Sequence, residues 1–421
     1  MNLIYNIFIF LYPKAAWLIS SKNAKARQWV AGRKNIFQLL ESAFSNNQEK
    51  VIWIHCSSLG EFEQGRPIIE AIKKKEPSHK ILLTFFSPSG YEVRKDYPGA
   101  DWIFYLPMDS SIHAKKFYAI VRPSLIIFVK YEFWYYYLNE ARQRSIPLLL
   151  ISGIFREDQP FFKWYGSFHK QMLECFTYLF VQNESSAALL NSIGFKDNIA
   201  ICGDTRFDRV LDIAEQFTAI ELIEKFIQND QVIVAGSTWT EDDEELDHFA
   251  NTHPEIKFII APHDIDEERI EECLSLYTNS ILYSAIINTG TDDETIDGKN
   301  VLIIDNVGML SRLYKYASIC YVGGAFGDDG VHNVLEAAVY SKPVVFGPEY
   351  DKYFEAIELI DADAAFSIDN ALEAEAVFDQ LLKDEDLYKR MSSNAGQYVR
   401  SKAGATEKIM NYIYEKRLLT I

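Results

Sequence analysis

Residues 51–67, VIWIHCSSLGEFEQGRP, join a continuous apolar run to a tight turn and the start of a helix. The run VIWIHCSS (51–58) is typical of a strand that is covered on both faces, as in a parallel sheet. Glu61 follows the Leu59-Gly60 turn at the end of that strand. Ligands of open α/β sheets collect there, so Glu61 is predicted to be a general base. The alternative is a first-turn acid that complements the helix dipole.

Similar apolar runs alternate with helical stretches along the chain, which is typical of parallel sheets with crossover helices. The strands predicted in the first half are 51–58, 80–86, 101–107, 124–130, 147–153, 178–183 and 198–203. Those in the second half are 231–237, 257–263, 280–285, 301–305, 319–324, 343–347 and 364–368. Residues 204–230 contain no strong strand and are predicted to form a hinge. The pattern indicates an α/β fold of two Rossmann-like domains that face each other across a cleft.

The length, net charge and cysteine content of the chain limit the classes of protein to which it can belong. A chain of 421 residues exceeds what one hydrophobic core usually holds, which agrees with two domains. The net charge of −18 argues against general nucleic-acid binding. Neither a CxxC pair nor a paired His spacing occurs, and we expect reduced thiols, no metal site and no cofactor. The dispersed cysteines are Cys56, Cys175, Cys202, Cys273 and Cys320.

The first 34 residues begin apolar and end basic. The uninterrupted apolar run, residues 3–12, is about half of the ~20 residues that a spanning helix needs. No acid precedes Glu41, and the segment carries Lys14, Lys22, Lys25, Arg27, Arg33 and Lys34. We expect residues 1–34 to lie in or dip into a bilayer, with the basic side chains against anionic lipid. The alternative is a first helix packed on the body of the protein.

Two further strand ends carry polar residues. Glu132 lies in KYEFWYYY (130–137), where it is a second acid at a carboxyl edge. AGSTWTEDDEEL (235–246) places Gly236, Ser237 and Thr238 where their backbone N–H groups could meet a phosphate. The alternative for this second stretch is a helix capped by Thr240, with Asp243 reaching back to it.

The stretch YVGGAFGDDGVHNVLEAAVYSKPVVFGP (321–348) is the most specific. A strand leads into a glycine-rich loop that includes Gly324 and Gly330, and then into a helix predicted to begin at Asn333. Such a helix start suits a nucleotide phosphate, with His332 and Glu336 beside it. An N-x-x-E capping box is the alternative and is compatible with binding.

Six blocks in order resemble the 3-deoxy-D-manno-octulosonic acid (Kdo) transferases, membrane-associated glycosyltransferases of the GT-B fold. The blocks are WIHCSSLGEFEQGRP (53–67), YEFW (131–134), VQNESSAALLNSIGF (181–195), GDTRFD (203–208), AGSTWTEDDE (235–244) and GGAFGDDGVHNVLEAAVYSKPVVFGP (323–348). The resemblance implies inverting transfer of Kdo from CMP-Kdo to a lipid A precursor, without an obligatory metal, in lipopolysaccharide inner-core biosynthesis. It places the catalytic domains on the cytoplasmic side of the inner membrane.

The resemblance also assigns roles. Glu61 matches the family's catalytic acid, which would deprotonate the acceptor hydroxyl, and Glu132 matches the second acid of the E-T-E-L-W pattern. The expected donor-binding residues are Gly236, Ser237, Thr238, His263, Gly324, Gly330, His332, Asn333 and Glu336. The basic residues of the first segment would draw the acceptor phosphates. The expected segments are the membrane-associated 1–34, an acceptor domain 35–205, a CMP-Kdo domain 206–386, and a helical tail 387–421 that can return to the first domain.

Three positions depart from the family pattern. Lys130 replaces the first acid of E-T-E-L-W, His263 stands where the family often has the arginine of P-R-H, and Val331 replaces the second glycine of G-G-H-N. Two alternatives remain open at this point. One is another GT-B enzyme that uses a UDP-sugar, either a transferase or an epimerase. The other is a non-catalytic peripheral membrane protein that keeps a nucleotide-binding scaffold.

Overall fold

The structure, a computed structural model, describes residues 2–289, 296–327 and 330–420. It divides into two compact units: Met1–Arg209 with Ala403–Ile421, and Val210–Lys402. The unit boundary therefore follows Arg209, where the sequence predicts a boundary after residue 205. The predicted hinge, 204–230, holds two helices.

The first unit is built on a parallel sheet of seven strands. They are β1 (Val51–Cys56), β2 (Lys80–Phe85), β3 (Trp102–Tyr105), β4 (Pro123–Val129), β5 (Leu148–Gly153), β6 (Tyr178–Val181) and β7 (Ile199–Ile201). Their order is β3-β2-β1-β4-β5-β6-β7, and every neighbouring pair is parallel. The order reverses between β1 and β4, and such a switch point is where open α/β sheets bind ligands.

Helices cover both faces of this sheet. They are α1 (Asn2–Ile19), α2 (Ala24–Gly32), α3 (Ile36–Phe44), α4 (Leu59–Lys75), α5 (Pro88–Arg94), α6 (Ser111–Val121), α7 (Tyr135–Gln143), α8 (Ser167–Leu173) and α9 (Glu184–Ser192). The next helix, α10 (Thr205–Glu215), begins in this unit and continues past the unit boundary after Arg209. Successive side chains of β1 point to opposite faces of the sheet and pack in two different hydrophobic cores. Trp53 packs in one core, and Ile52 and Ile54 pack in the other. This explains why β1 is apolar throughout.

The second unit repeats the architecture. Its strands are β8 (Val232–Thr238), β9 (Lys257–Pro262), β10 (Ser280–Leu282), β11 (Val301–Ile303), β12 (Ile319–Val322), β13 (Val344–Phe346) and β14 (Ala365–Ser367). Their order is β10-β11-β9-β8-β12-β13-β14, again parallel, with the switch point between β8 and β12. All fourteen strands overlap the predicted ranges.

The helices of the second unit complete the α/β layers. They are α11 (Glu221–Ile227), α12 (Thr240–Thr252), α13 (Glu267–Leu276), α14 (Tyr283–Thr289), α15 (Leu310–Leu313), α16 (Leu335–Ala338), α17 (Phe354–Asp361), α18 (Ala371–Lys383) and α19 (Glu385–Lys402). The first part of the predicted tail, residues 387–402, belongs here, since α19 contributes Leu387 and Met391 to the core of this unit.

A last helix, α20 (Ala405–Glu415), belongs to the first unit. It packs Ile409 and Ile413 into the core that contains Ile54. The Asp208 carboxylate accepts the backbone N–H groups of Gly404 (2.5 Å) and Thr406 (2.6 Å) at the start of α20. Only the final part of the predicted tail, after residue 402, therefore lies on the first unit.

The first helix, α1, packs Ile9 and Ala16 in a small cluster with Trp29 and Met108. The rest of its apolar surface is exposed, namely Leu3, Ile4, Ile7, Phe8, Phe10, Leu11, Trp17, Leu18 and Ile19. Among the described residues, no helix combines the length and the apolar character that crossing a bilayer requires. The helix thus both packs on the first unit and presents an uncovered apolar face.

Candidate active site

Glu61 lies in the first turn of α4, directly after β1 at the switch point of the first sheet. Its Oε2 accepts the backbone N–H of Ser58 at 3.1 Å and also the Ser58 hydroxyl, which completes a capping box. In the described part of the chain, hydrogen bonds engage only Oε2. Glu61 is half-buried. The helix-start role is therefore present, and Oε1 is left to accept a proton from a substrate.

Glu132 follows β4, the neighbour of β1, and is 7% exposed. Its Oε2 bonds His55 Nε2 at 2.9 Å and accepts the Trp134 indole N–H. His55 Nδ1 lies 2.9 Å from Thr84 Oγ1 on the adjacent strand β2. A carboxylate held this way inside the protein positions its neighbours. The geometry thus favours a positioning role for Glu132 over the predicted catalytic one, because little of it can meet a substrate.

Lys130 directly follows β4 and has a left-handed conformation with φ of 64°. Burial lowers the pKa of its ammonium group. The charge of Arg206 acts in the same direction, and the Glu61 and Asp204 carboxylates oppose it. The cation that replaces the family's acid therefore lies within the electrostatic field of Glu61. Sequence comparison identifies the replacement, and only the fold shows which carboxylate it influences.

At the switch point of the second sheet, the three residues predicted to meet a phosphate are part of β8 itself. Gly236 and Thr238 are buried, and a Cβ on Gly236 would lie 2.3 Å from the Tyr314 hydroxyl oxygen. Ser237 is half-buried with φ of 57°. Of these three, Ser237 is the one whose position suits contact with a ligand.

Two of the three acids in the first turn of α12, Asp242 and Asp243, are buried, whereas Glu241 is exposed. Asp242 accepts the N–H groups of Trp239 (2.9 Å) and Gly324 (2.8 Å), and burial raises its pKa. Asp243 is fully buried in an ion pair with Arg269. The predicted Thr240 cap with Asp243 is therefore wrong by one residue, since Trp239 is the N-cap and Asp242 reaches back to it. The sequence correctly predicts that these acids lie at the start of a helix. It does not show which face of that helix is buried.

Three rings from separate loops stack at this edge. His263 lies between Trp239 (ring centroids 4.6 Å apart) and His332 (4.5 Å, rings inclined by 12°). The Trp239 indole N–H donates to His332 Nε2 at 3.2 Å. The fold thus brings together the predicted residues His263 and His332. Sequence reasoning missed Trp239, for which the only signal is its place in the AGSTW block.

The glycine-rich loop follows β12, and Asp328 and Asp329 within it lie outside the described residues. Gly324 has φ of 96°, and a Cβ there would lie 2.6 Å from the Gly330 carbonyl oxygen. Only glycine fits that position. The next helix, α16, begins at Leu335 instead of the predicted Asn333. Asn333 Nδ2 donates to Glu336 Oε1 at 2.8 Å, but the N-cap of α16 is Val334 and it makes no side-chain cap hydrogen bond, so the predicted capping box is wrong.

The basic residues of the first segment do not act alike. The guanidinium of Arg33 points inward and donates to the carbonyl oxygens of Leu106 (2.9 Å), Phe86 (2.8 Å) and Trp29 (3.3 Å). Burial lowers the pKa of Arg33 to about 9. Three of its five N–H donors are thus bound to backbone carbonyl oxygens, and the geometry favours a structural role for Arg33 over its predicted contact with lipid phosphate. The other five, Lys14, Lys22, Lys25, Arg27 and Lys34, are exposed.

Residues 32–209 match the model of a family described as 3-deoxy-D-manno-octulosonic-acid transferase (kdotransferase). A 3-deoxy-D-manno-octulosonic acid transferase of Aquifex aeolicus is 26% identical over 360 residues, which cover 82% of this chain and 91% of the relative. The chain is therefore similar to the Kdo transferase family, both in the stretch that the family model matches and along most of the length of this relative. The predicted family is confirmed, and with it the expectation of a glycosyltransferase enzyme.

A second relative of this chain has a further activity in its name. A bifunctional glycosyltransferase/methyltransferase of Fusobacterium nucleatum is 28% identical over 398 residues, which cover 91% of this chain and 58% of the relative. The chain thus matches somewhat more than half of that longer protein.

A solved structure supports the fold class. UDP-GlcNAc 2-epimerase from Neisseria meningitidis, bound to UDP-GlcNAc, superposes with a TM-score of 0.61 at 16% identity. The match covers 87% of this chain and all of the epimerase. At that identity the likeness concerns the fold alone, and the predicted GT-B fold is confirmed.

Proposed function

We propose that the protein transfers Kdo from CMP-Kdo to a hydroxyl group of a lipid A precursor, with inversion. The observation that carries the proposal is Glu61, which lies at the switch point of the first sheet within the stretch that matches the Kdo transferase family. A partly exposed carboxylate at this place suits a general base. In the reaction, Glu61 takes the proton of the 6′-hydroxyl of the acceptor.

The oxygen so activated attacks the anomeric carbon of Kdo, and the bond from that carbon to the CMP phosphate oxygen breaks. Attack opposite the leaving group accounts for inversion. The released negative charge resides on CMP. Ser237, the loop of Gly324 and Gly330, and the rings of His263 and His332 are the residues that we assign to the nucleotide. They all lie at the carboxyl edge of the second sheet, next to its own switch point.

We further propose that α1 holds the enzyme on the cytoplasmic face of the inner membrane. Its exposed side chains include Leu3 (72%), Ile4 (67%) and Leu18 (68%), and such a face is unfavourable in water. Trp17 (64% exposed) and the exposed lysines that follow suit the headgroup region of an anionic bilayer. An interfacial helix would bring the enzyme to a lipid acceptor.

The test is Kdo transfer to a tetraacylated lipid A precursor in detergent, with CMP-Kdo generated in situ. Glu61→Gln is the informative variant, because Gln keeps the capping box but cannot accept the proton. We expect a loss of at least ~100-fold in kcat without a change in Tm. The matched control is Glu63→Gln on the same helix, which should retain activity. Full activity of Glu61→Gln would refute the assignment of the base.

The same fold also serves UDP-sugar enzymes, so the donor needs its own measurement. Competition of transfer by CMP but not by UDP supports the CMP-Kdo donor. The reverse result would favour a UDP-sugar enzyme. Binding to anionic vesicles with no turnover of either donor would favour a non-catalytic membrane protein.

A further inference from the structure

Two neighbouring cavities lie in the first unit, where α1 and α2 meet the ends of β2 and β3. The larger, about 640 Å³, is lined by Pro13 and Trp17 of α1, by residues of α2, and by Met108. The smaller, about 320 Å³, lies among Tyr12, Ala15 and the segment 86–88. Trp29 lines both cavities. Their walls are mostly apolar, and they adjoin the helix whose outer face is exposed and apolar.

Trp29, which lines both cavities, carries a polar donor that is unpaired among the described residues. The residue is 6% exposed, and its indole Nε1 is buried without a hydrogen-bond partner in the described part of the chain. The ring is fixed by Tyr12 (centroids 5.2 Å apart), by Phe86 (5.8 Å) and by the Arg33 guanidinium (4.0 Å). A buried N–H without an acceptor is unfavourable, and a ligand carbonyl oxygen would satisfy it.

The charged residues that line the cavities indicate the sign of the charge on the ligand. Lys34 lines the larger cavity and Lys25 lines the smaller one, and both lysines are exposed. Among the residues that the structure describes, no carboxylate lines either cavity. Arg33 also lines the larger cavity, but its guanidinium is already bonded to three carbonyl oxygens. An anionic headgroup would therefore meet lysine ammonium groups at the rim, while an apolar chain fills the interior.

The cavities also adjoin the turn that carries Glu61. Phe86 and Ser87, which line the smaller cavity, donate their backbone N–H groups to the Ser57 carbonyl oxygen at 3.2 and 2.7 Å. Ser57 precedes Ser58, the residue that caps α4 and bonds Glu61. A ligand in this cavity would thus lie beside the candidate base, which favours the acceptor over a lipid of the surrounding bilayer.

We infer that these cavities bind one acyl chain of the acceptor lipid, with the Trp29 indole N–H donating to the carbonyl oxygen of that chain. The inference rests on the proposed function for the identity of the acceptor. It adds that recognition of the acceptor extends from the sugar to its acyl part, and that α1 forms one wall of this site.

The first test compares two acceptors: the tetraacylated lipid A precursor and its fully deacylated counterpart. Ala31→Phe fills the larger cavity from an exposed position on α2. We expect its KM for the acylated acceptor to rise about tenfold, the factor for displacing two methylene groups, with KM for the deacylated acceptor unchanged. Trp29→Phe should raise KM about fivefold for the acylated acceptor alone, the factor for one hydrogen bond.

The matched control is Ala119→Phe, which enlarges an exposed alanine on α6 away from both cavities. It should leave both KM values unchanged. Equal changes for the two acceptors, or no change in the Ala31→Phe variant, would overturn the inference.

The second test does not require turnover and so separates this inference from the proposed function. A tetraacylated precursor with a diazirine in one acyl chain is photolysed with the full-length protein, and labelled peptides are mapped. Labelling within residues 12–38, reduced in Ala31→Phe but not in Ala119→Phe, supports the site even if no Kdo transfer is found. Labelling elsewhere, or labelling abolished by excess phosphatidylglycerol, would overturn it, the latter in favour of bilayer lipid.

Discussion

His55 and Glu132 join the ends of two neighbouring strands through a buried hydrogen bond of 2.9 Å between Nε2 and Oε2. The bond lies beside the turn that carries Glu61, because His55 is the second-last residue of β1 and Glu61 lies in the first turn of the helix that follows. It therefore couples the loop after β4 to the strand that delivers the candidate base.

Loss of the hydrogen bond between His55 and Glu132 should lower the stability of the protein more than its catalytic rate. Glu132→Ala leaves the buried His55 Nε2 without its partner, and we expect the free energy of unfolding in urea to fall by ~1–3 kcal/mol. Glu132→Gln keeps an acceptor for His55 and should recover most of that loss. Its kcat should fall less than that of Glu61→Gln. A kcat for Glu132→Gln as low as that of Glu61→Gln would instead indicate that Glu132 takes part in the reaction.

Asp109 provides a prediction on pH. It accepts the N–H groups of Tyr136 (2.9 Å) and Tyr137 (3.0 Å) at the start of α7 and the hydroxyl of Tyr5 in α1. Burial raises its pKa from 3.8 to about 6. A raised carboxyl pKa contributes stability that is complete below the unfolded value and is lost as the pH rises through the folded value.

The free energy of unfolding of the wild type, relative to Asp109→Asn, should therefore fall by up to ~3 kcal/mol between about pH 4 and pH 7. Urea denaturation of both proteins across this range measures the difference, in which the titration of the other carboxyl groups cancels. Parallel pH profiles for the two proteins would contradict the assignment.

The glycine-rich loop allows a matched pair of substitutions. Gly324→Ala introduces a Cβ 2.6 Å from the Gly330 carbonyl oxygen at a φ of 96°, so the loop must shift at a cost of ~1–2 kcal/mol. We expect the affinity for CMP, measured by calorimetry, to fall at least ~10-fold, a factor equivalent to ~1.4 kcal/mol. Gly327→Ala is the control, because its Cβ would lie 3.7 Å from the nearest atom. Unaltered CMP affinity in Gly324→Ala would remove this loop from the donor site.

Substitutions of Arg33 and Lys22 should distinguish a basic residue that stabilises the fold from one that binds the membrane. Arg33→Met leaves the Leu106 and Phe86 carbonyl oxygens without their donor, and the free energy of unfolding should fall by ~1–3 kcal/mol. Lys22→Gln, at an exposed position, should leave stability unchanged. It should weaken binding to vesicles containing phosphatidylglycerol by about fivefold, since a lysine near an anionic surface contributes ~1 kcal/mol. Co-sedimentation measures this binding. Equal vesicle binding by wild type and Lys22→Gln would count against the membrane role of this residue.

The strands and the position of Glu61 were predictable because their signals are local. A strand covered on both faces must be apolar along its whole length, as β1 and β4 are, and a turn between a strand and a helix is written in adjacent residues. The ordered blocks identified the family for the same reason, since each lies within a single strand end and its loop.

Only the tertiary structure decided which side chains meet. His55 and Glu132 are 77 residues apart, and they meet because β1 and β4 are neighbours in the sheet. Arg33 looked like one more cation of a basic segment, yet its guanidinium satisfies backbone carbonyls inside the unit. The stacking of Trp239 on His263 likewise depends on the pairing of β8 with β9. Strand order and burial arise from packing the whole chain, and no short stretch of sequence contains them.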